Sequence, residues 1–269
     1  MDNAATTPLG DGVLESMEPY FEKFWSNPSS SYGFSHMPKK EINRARESCA
    51  NLIGAEPEEI YFTSGGSEAD NWAVKGVCHY FYGEKNKIVT TPIEHKAVLK
   101  SAESMEKYGF KTEYVPVDEN GKINLNSAEE IIDKNTALVS VMYANNEVGT
   151  IEPVKEVAEI AHKNGAYFHT DAVQAAGHIK IDVKKENIDL LSVSGHKFGT
   201  PKGIGFLYIK NGIKIDNLID GGGQENGKRA GTENVPYIAA IRRASENTRV
   251  NFIETGLISA QKRDYFVKL

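Results

Sequence analysis

Seven short apolar segments alternate with amphipathic stretches between residues 60 and 209, and this alternation restricts the fold more than any other feature of the chain. The segments are Ile60–Thr63, Lys87–Thr91, Phe110–Val115, Ala137–Tyr143, Ala166–Thr170, Leu190–Val193 and Ile204–Ile209. They are rich in Val, Ile, Phe and Tyr and end in turn residues, as strands do. Several are apolar throughout, which fits strands covered on both faces. The stretches between them carry helix signals. Val154, Val157, Ala158 and Ala161 form one stripe, Pro153 suits the first helical position, and Gly165 suits the C-terminal cap. Asn126 with Glu129 has capping-box spacing, and Asn211-Gly212 between Leu207–Ile209 and Ile213–Ile215 has that of a hairpin turn. A last helical pattern starts near Val235 and continues to Leu269. Repeated βαβ units predict an α/β fold with a mostly parallel sheet.

Composition narrows the function classes. With 40% hydrophobic residues among 269, the chain can bury a large core and is not a disordered segment. A net charge of −6, with basic residues in pairs and not in tracts, argues against nucleic-acid binding. No apolar run reaches the ~20 residues that span a bilayer, so no membrane partner is expected. Met1-Asp2-Asn3 lacks the basic and apolar parts of a signal peptide, which predicts a cytoplasmic protein. The two cysteines form no CxxC pattern, hence neither a disulfide framework nor a zinc or other metal site. Cys49 shares a helical stripe with Ala45, Leu52 and Ile53, and Cys78 shares one with Val74 and Phe81. Both are expected to be small core hydrophobes.

Ligands of open α/β sheets sit beyond the carboxyl ends of the strands, and three ends here carry notable residues. Ile60–Thr63 runs into Ser64-Gly65-Gly66-Ser67-Glu68 and then a helical pattern. Glycines admit a close ligand and the free N–H groups of a helix start favour an anion, although a Gly-Gly turn with Ser67 as a cap accounts for the segment too. Ala166–Thr170 delivers Asp171, a turn residue or a functional carboxylate. Leu190–Val193 delivers Ser194-Gly195-His196-Lys197 ahead of a Gly/Pro-rich loop, an unusual place for a lysine. A phosphate cradle, a strand-end carboxylate and a loop lysine together are what a pyridoxal 5'-phosphate enzyme needs. The lysine holds the cofactor, the aspartate pairs with its ring nitrogen, and the ring withdraws electrons.

Several motifs resemble those of the cysteine desulfurases, in the class V aminotransferase-like group of pyridoxal phosphate enzymes. They are Asp2-Asn3-Ala4-Ala5-Thr6-Thr7-Pro8, Phe62–Glu68, Glu94-His95-Lys96-Ala97-Val98, Asn145-Asn146-Glu147-Val148-Gly149, His169–Gln174, Ser194–Lys197 and Arg229-Ala230-Gly231-Thr232-Glu233-Asn234. The likeness is to the branch serving nitrogen fixation and iron–sulfur cluster assembly, and it extends over nearly the whole chain. It implies fold type I of the pyridoxal phosphate transferases, with a large three-layer domain over 1–245 and the start of a small C-terminal domain over 246–269. The rest of that domain is expected to be missing by truncation.

The same resemblance assigns roles. Lys197 becomes the Schiff-base lysine and Asp171 the ring-nitrogen partner. Gly66, Ser67, Ser194 and His196 hold the phosphate. Thr232 reaches the phosphate in a neighbouring subunit, which implies a homodimer. Gln174 and Asn146 lie near the phenolic oxygen, with Asn146 also near the substrate carboxylate. His95 stacks on the ring and moves a proton. The implied reaction takes sulfur from L-cysteine, leaving L-alanine and an enzyme persulfide for a sulfur acceptor or iron–sulfur scaffold protein. A selenocysteine lyase, another class V aminotransferase or a non-catalytic dimerising product are the alternatives. The family's persulfide cysteine and carboxylate-binding arginine lie in a C-terminal segment with no counterpart here, and its histidine after Asn27-Pro28-Ser29-Ser30 is Tyr32.

Overall fold

A computed structural model describes residues 2–268. In chain order its elements begin with α1 (Val13–Glu22), α2 (His36–Ile53), β1 (Ile60–Thr63), α3 (Gly66–Tyr80), β2 (Lys87–Thr90), α4 (Lys96–Ser104) and β3 (Lys111–Tyr114). They continue with α5 (Leu125–Ile131), β4 (Thr136–Ser140), α6 (Val154–Lys163), β5 (Tyr167–Asp171), β6 (Leu190–Ser194), β7 (Gly205–Ile209) and α7 (Val235–Val267). The expected strands all form. β4 ends at Ser140 instead of Tyr143, yet Val141 and Tyr143 still donate to the carbonyls of His169 and Asp171, so the chain stays beside β5.

The strands make one sheet in the order β1-β7-β6-β5-β4-β2-β3. β7 runs antiparallel to both its neighbours, and the other pairs are parallel. Alternation along each strand sorts the side chains into two cores. Tyr61, Leu190, Leu207 and Ile209 pack under α3 and α4 with Trp72, Ala73, Val77 and Ala102. Phe62, Phe168, Leu191, Val193 and Phe206 face α2, α5, α6 and the first part of α7. The result is three layers, helix on sheet on helix, with Cys49 and Cys78 wholly buried among them. Lys-Thr-Glu-Tyr of β3 is mostly exposed, which suits an edge strand.

Three local expectations change. The Asn211-Gly212 turn forms, with Ile213 N–H donating to Lys210 O, but no strand follows it. Both edges of β7 are already taken by β1 and β6, so Ile213–Asp216 lies across α3 instead. There Asp216 N–H donates to Gly76 O, and Trp72 Nε1 donates to Asp216 O. Gly76 is required at this crossing, because a Cβ would lie 2.7 Å from the Asp216 carbonyl oxygen. The cap of α5 is Asn124, whose side chain accepts from Ser127 N–H, so Asn126 falls inside the helix. Pro153 sits one position earlier than expected, as the N-cap of α6.

Candidate active site

The carboxyl ends of β5 and β6, the start of α3 and the N-terminal segment enclose a cleft of about 700 Å³. Gly66, Ser67, His95, Asn146, Asp171, Gln174, Ser194, His196 and Lys197 all line it, from five separate stretches of sequence. Only Thr232 of the expected residues lies elsewhere. It is exposed beside a smaller hollow of about 250 Å³ with Arg229, Glu233 and Ser64.

At one end of the cleft, α3 presents its first turn. Gly65, the N-cap, has φ +146°, a conformation that favours glycine. A Cβ at Gly66 would stand 2.6 Å from a Val173 methyl, so the backbone is pressed against the wall. The first turn of α3 lines the cleft together with Ser67 and Ser194, and a helix start leaves backbone N–H groups that suit an anion. His196 borders the same space, and its Nδ1 lies 3.2 Å from Thr6 Oγ1. Burial, with Lys197 and Lys202 nearby, lowers its pKa and favours the neutral ring.

The floor carries charge. Asp171 ends β5 almost fully buried, and one carboxylate oxygen accepts from Val173 N–H at 2.9 Å. Burial raises its pKa, while that hydrogen bond, His95 and Lys197 work in the other direction. Lys197 Nζ donates to the carbonyls of Ala4 and Ala5, and burial lowers its pKa against the pull of Asp171 and Asp2. Gln174 Nε2 donates to Ala4 O at 2.9 Å, so a strap over residues 2–7 is tied across the cleft. His95 caps α4, with Nδ1 accepting from Ala97 N–H at 3.1 Å. That bond leaves Nδ1 unprotonated and puts the proton of a neutral ring on Nε2. Of the Asn pair, buried Asn145 makes the Asx turn, its Oδ1 accepting from Glu147 and Val148 N–H, and exposed Asn146 is left to line the cleft.

Sequence reasoning missed several participants. Asp70, on α3, lines the cleft while 1% exposed. Its signal was available, since it interrupts the buried stripe of Ala73, Val74 and Val77. Buried Glu94 accepts from Thr91 Oγ1 at 2.7 Å and Met142 N–H at 2.9 Å, and burial pushes its carboxyl up to about 8. Tyr32, in place of the family's histidine, stacks on Phe34 at 5.5 Å and does not line the cleft.

Glu68 and Arg229 connect the two hollows. Arg229 Nε donates to Glu68 Oε1 at 2.8 Å, and Ser64 N–H donates to Glu68 Oε2 at 2.8 Å. Burial pushes the Glu68 pKa up, but the Arg229 guanidinium and Ser64 outweigh it and hold the carboxyl below its usual range. The stabilisation is therefore complete above the unfolded carboxyl pKa of about 4.3 and is lost as pH falls through the lower folded value. Glu68→Gln should cost about 1 kcal/mol at pH 7 and leave a flatter decline between pH 6 and pH 3. Thermal unfolding of both proteins across that range checks it, and equal slopes would refute the assignment.

The aminotransferase class-V family model matches residues 1–262. The chain belongs to that family. Within it, the similar proteins are cysteine desulfurases of the IscS and NifS kind. The chain is 55% identical to cysteine desulfurase IscS of Clostridium botulinum over 254 residues, 94% of the chain and 64% of that protein. It is 46% identical to the IscS of Dictyoglomus turgidum, covering 100% of the chain and 68% of that relative. A solved NifS-like protein superposes with a TM-score of 0.97 at 43% identity, over 99% of this chain and 74% of that one. The structure of SspA in complex with cysteine gives 0.88 at 41% identity, over 91% and 71%. The chain thus spans just under two thirds of the Clostridium botulinum relative's length. Among the described residues no helix is long and apolar enough to cross a membrane.

Proposed function

We propose that this chain carries the pyridoxal 5'-phosphate site of a cysteine desulfurase, which takes sulfur from L-cysteine and leaves L-alanine and an enzyme persulfide. The observation that carries the proposal is the convergence, in one cleft, of an open helix start, a buried carboxylate and a lysine with a lowered pKa. That donor set fits the cofactor: the first turn of α3 with Gly66, Ser67, Ser194 and His196 would hold its phosphate, and Asp171 its ring nitrogen. Bound there, the cofactor supplies an electron sink for cleavage at the substrate's α-carbon.

The chain's own groups then have defined work. Lys197 carries the cofactor through its amine, and its lowered pKa favours the neutral nucleophilic form. The same amine would take the substrate's α-proton. Asp171 would hold a proton on the ring nitrogen. His95 would cover the ring and offer an Nε2 proton toward the leaving sulfur. Asn146 and Gln174 orient the substrate and the cofactor's phenolic oxygen. Cys49 and Cys78 are buried away from the cleft, and burial pushes Cys49 up to about 12 and Cys78 higher still. Neither is the sulfur-accepting thiol.

Further parts of the reading follow the family. Thr232, exposed outside the cleft, reaches the phosphate of a second copy in a homodimer. Residues 1–245 form the cofactor domain and 246–269 begin a smaller one, which accords with the exposed Leu257, Tyr265 and Phe266 on α7. The persulfide passes to an iron–sulfur scaffold or another acceptor protein in the cytoplasm, where thiols stay reduced.

Mixing the purified chain with pyridoxal 5'-phosphate should give a yellow protein. Borohydride should then fix the cofactor to the peptide containing Lys197. A stable adduct on any other lysine, or none, would remove the proposal.

A further inference from the structure

The tip of the 2–7 strap stands where the cofactor reading needs space. Asp2, Ala4 and Ala5 all line the cleft. Ala5 N–H donates to Asp2 Oδ1 at 3.1 Å, which closes residues 2–5 into a small turn. All four residues are exposed, so little apolar burial holds the turn down. Among the described residues, its hydrogen bonds to the body of the protein come from two side chains only. Lys197 Nζ donates to Ala4 O and, at 3.1 Å, to Ala5 O, and Gln174 Nε2 donates to Ala4 O at 2.9 Å. The root of the strap is fastened separately. Thr7 N–H and Oγ1 donate to His196 O at 2.9 and 3.0 Å, and Gly10 N–H donates to Gly199 O at 2.8 Å. The tip can therefore leave while the root stays, with the hinge at Ala5 and Thr6.

The cofactor claims the same two donors. In the proposed reading Lys197 joins its aldehyde carbon, and Gln174 faces the phenolic oxygen on the neighbouring ring carbon. In the structure both side chains converge on one oxygen, that of Ala4, so this carbonyl occupies the phenolic oxygen's place. A count of hydrogens makes the two occupants exclusive. A lysine ammonium has three N–H donors, and two are spent on the strap. Joining the aldehyde expels water and leaves the nitrogen at most one hydrogen, which the adjacent phenolic oxygen takes. Neither strap carbonyl then keeps its lysine donor. We propose that the strap tip is an internal competitor of the cofactor, closed on Lys197 and Gln174 until the cofactor takes both. The inference rests on the pyridoxal phosphate reading. A closed tip lowers the apparent affinity of the cleft in proportion to the fraction of chains that are open.

Elastase, which cuts after alanine, reads the position of the tip. On the purified chain, saturating pyridoxal 5'-phosphate should speed release of the N-terminal peptide at least about fivefold, the worth of one net hydrogen bond. Inorganic phosphate can fill the α3 cradle but touches neither donor, and should leave the rate as in the free chain. Removal of residues 2–5 should let the yellow complex reach half-saturation at least about fivefold lower in cofactor. A yellow complex whose tip is cut no faster would overturn the proposal, and so would equal acceleration by inorganic phosphate. Both of these results come from the unaltered chain and stand if the shortened chain fails to fold. Equal half-saturation in a folded shortened chain would overturn it as well. No yellow complex at all would remove the cofactor reading, and the competitor with it.

Discussion

Lys197→Ala should slow exchange of the substrate's α-hydrogen with solvent deuterium by at least about 10³-fold. In the proposed reaction one amine would both carry the cofactor and move that proton, and each function separately is worth orders of magnitude. Exchange into L-cysteine or L-alanine is the better readout here, since it needs the cofactor site but no sulfur-accepting thiol. Lys197→Arg should be as slow, because a guanidinium stays protonated and is not a nucleophile at neutral pH. Both variants should still bind cofactor non-covalently through the α3 cradle, with borohydride no longer fixing it. The alanine variant also leaves the carbonyls of Ala4 and Ala5 without their lysine donor, so the 2–7 strap should become more protease-sensitive. Exchange within tenfold of the unaltered chain would show that another group moves the proton.

Arg46→Ala should destabilise the fold by about 3–5 kcal/mol, the cost of leaving a buried charge without its partner. Glu225 is 3% exposed at its side chain, and Arg46 meets it with two hydrogen bonds of 2.7 and 2.6 Å. Glu225 Oε2 also accepts from Phe62 N–H at 2.8 Å, and the guanidinium lies 4.9 Å from the Phe62 ring centre. One ion pair thus fastens α2, β1 and the loop before Thr232 together. Urea unfolding gives the measurement. Replacing both partners, Arg46→Met with Glu225→Leu, should recover much of the loss, because the penalty is mostly the stranded carboxylate. A loss below about 1 kcal/mol for Arg46→Ala would mean that water reaches Glu225 freely.

Much of the fold was legible because its signals are local. Val, Ile and Phe at strand spacing marked β1 to β7, and strand ends are where this architecture puts ligands, so Lys197, Asp171 and Ser67 stood out. What stayed hidden depends on distant neighbours. Ile213–Ile215 has the composition of a strand, and only the occupied edges of β7 deny it a partner. Asn124 and Asn126 are chemically alike, and which one caps α5 is set by where Pro116 O meets Asn124 N–H. The strap holds Lys197 through backbone carbonyls, which no side chain announces. Asp70 left a trace, a charge on an apolar helical stripe, that reads as a surface residue until β5 is seen beneath it.

The reversed strand has a consequence for the order of events during synthesis. Ile60 pairs with Tyr208, so β1 has no sheet partner until β7 has been made. At roughly 5–20 residues per second, β1 and the start of α3 wait roughly 7–30 s for that strand. During this interval the turn at Gly65 and Gly66 lacks the wall that Val173 and Ser194 later provide. Nascent chains shorter than about residue 209 should therefore bind no phosphate compound, however much of α3 they contain. On the proposed reading the cofactor would be a ligand of the finished sheet, and its capture would report that the last strand has closed.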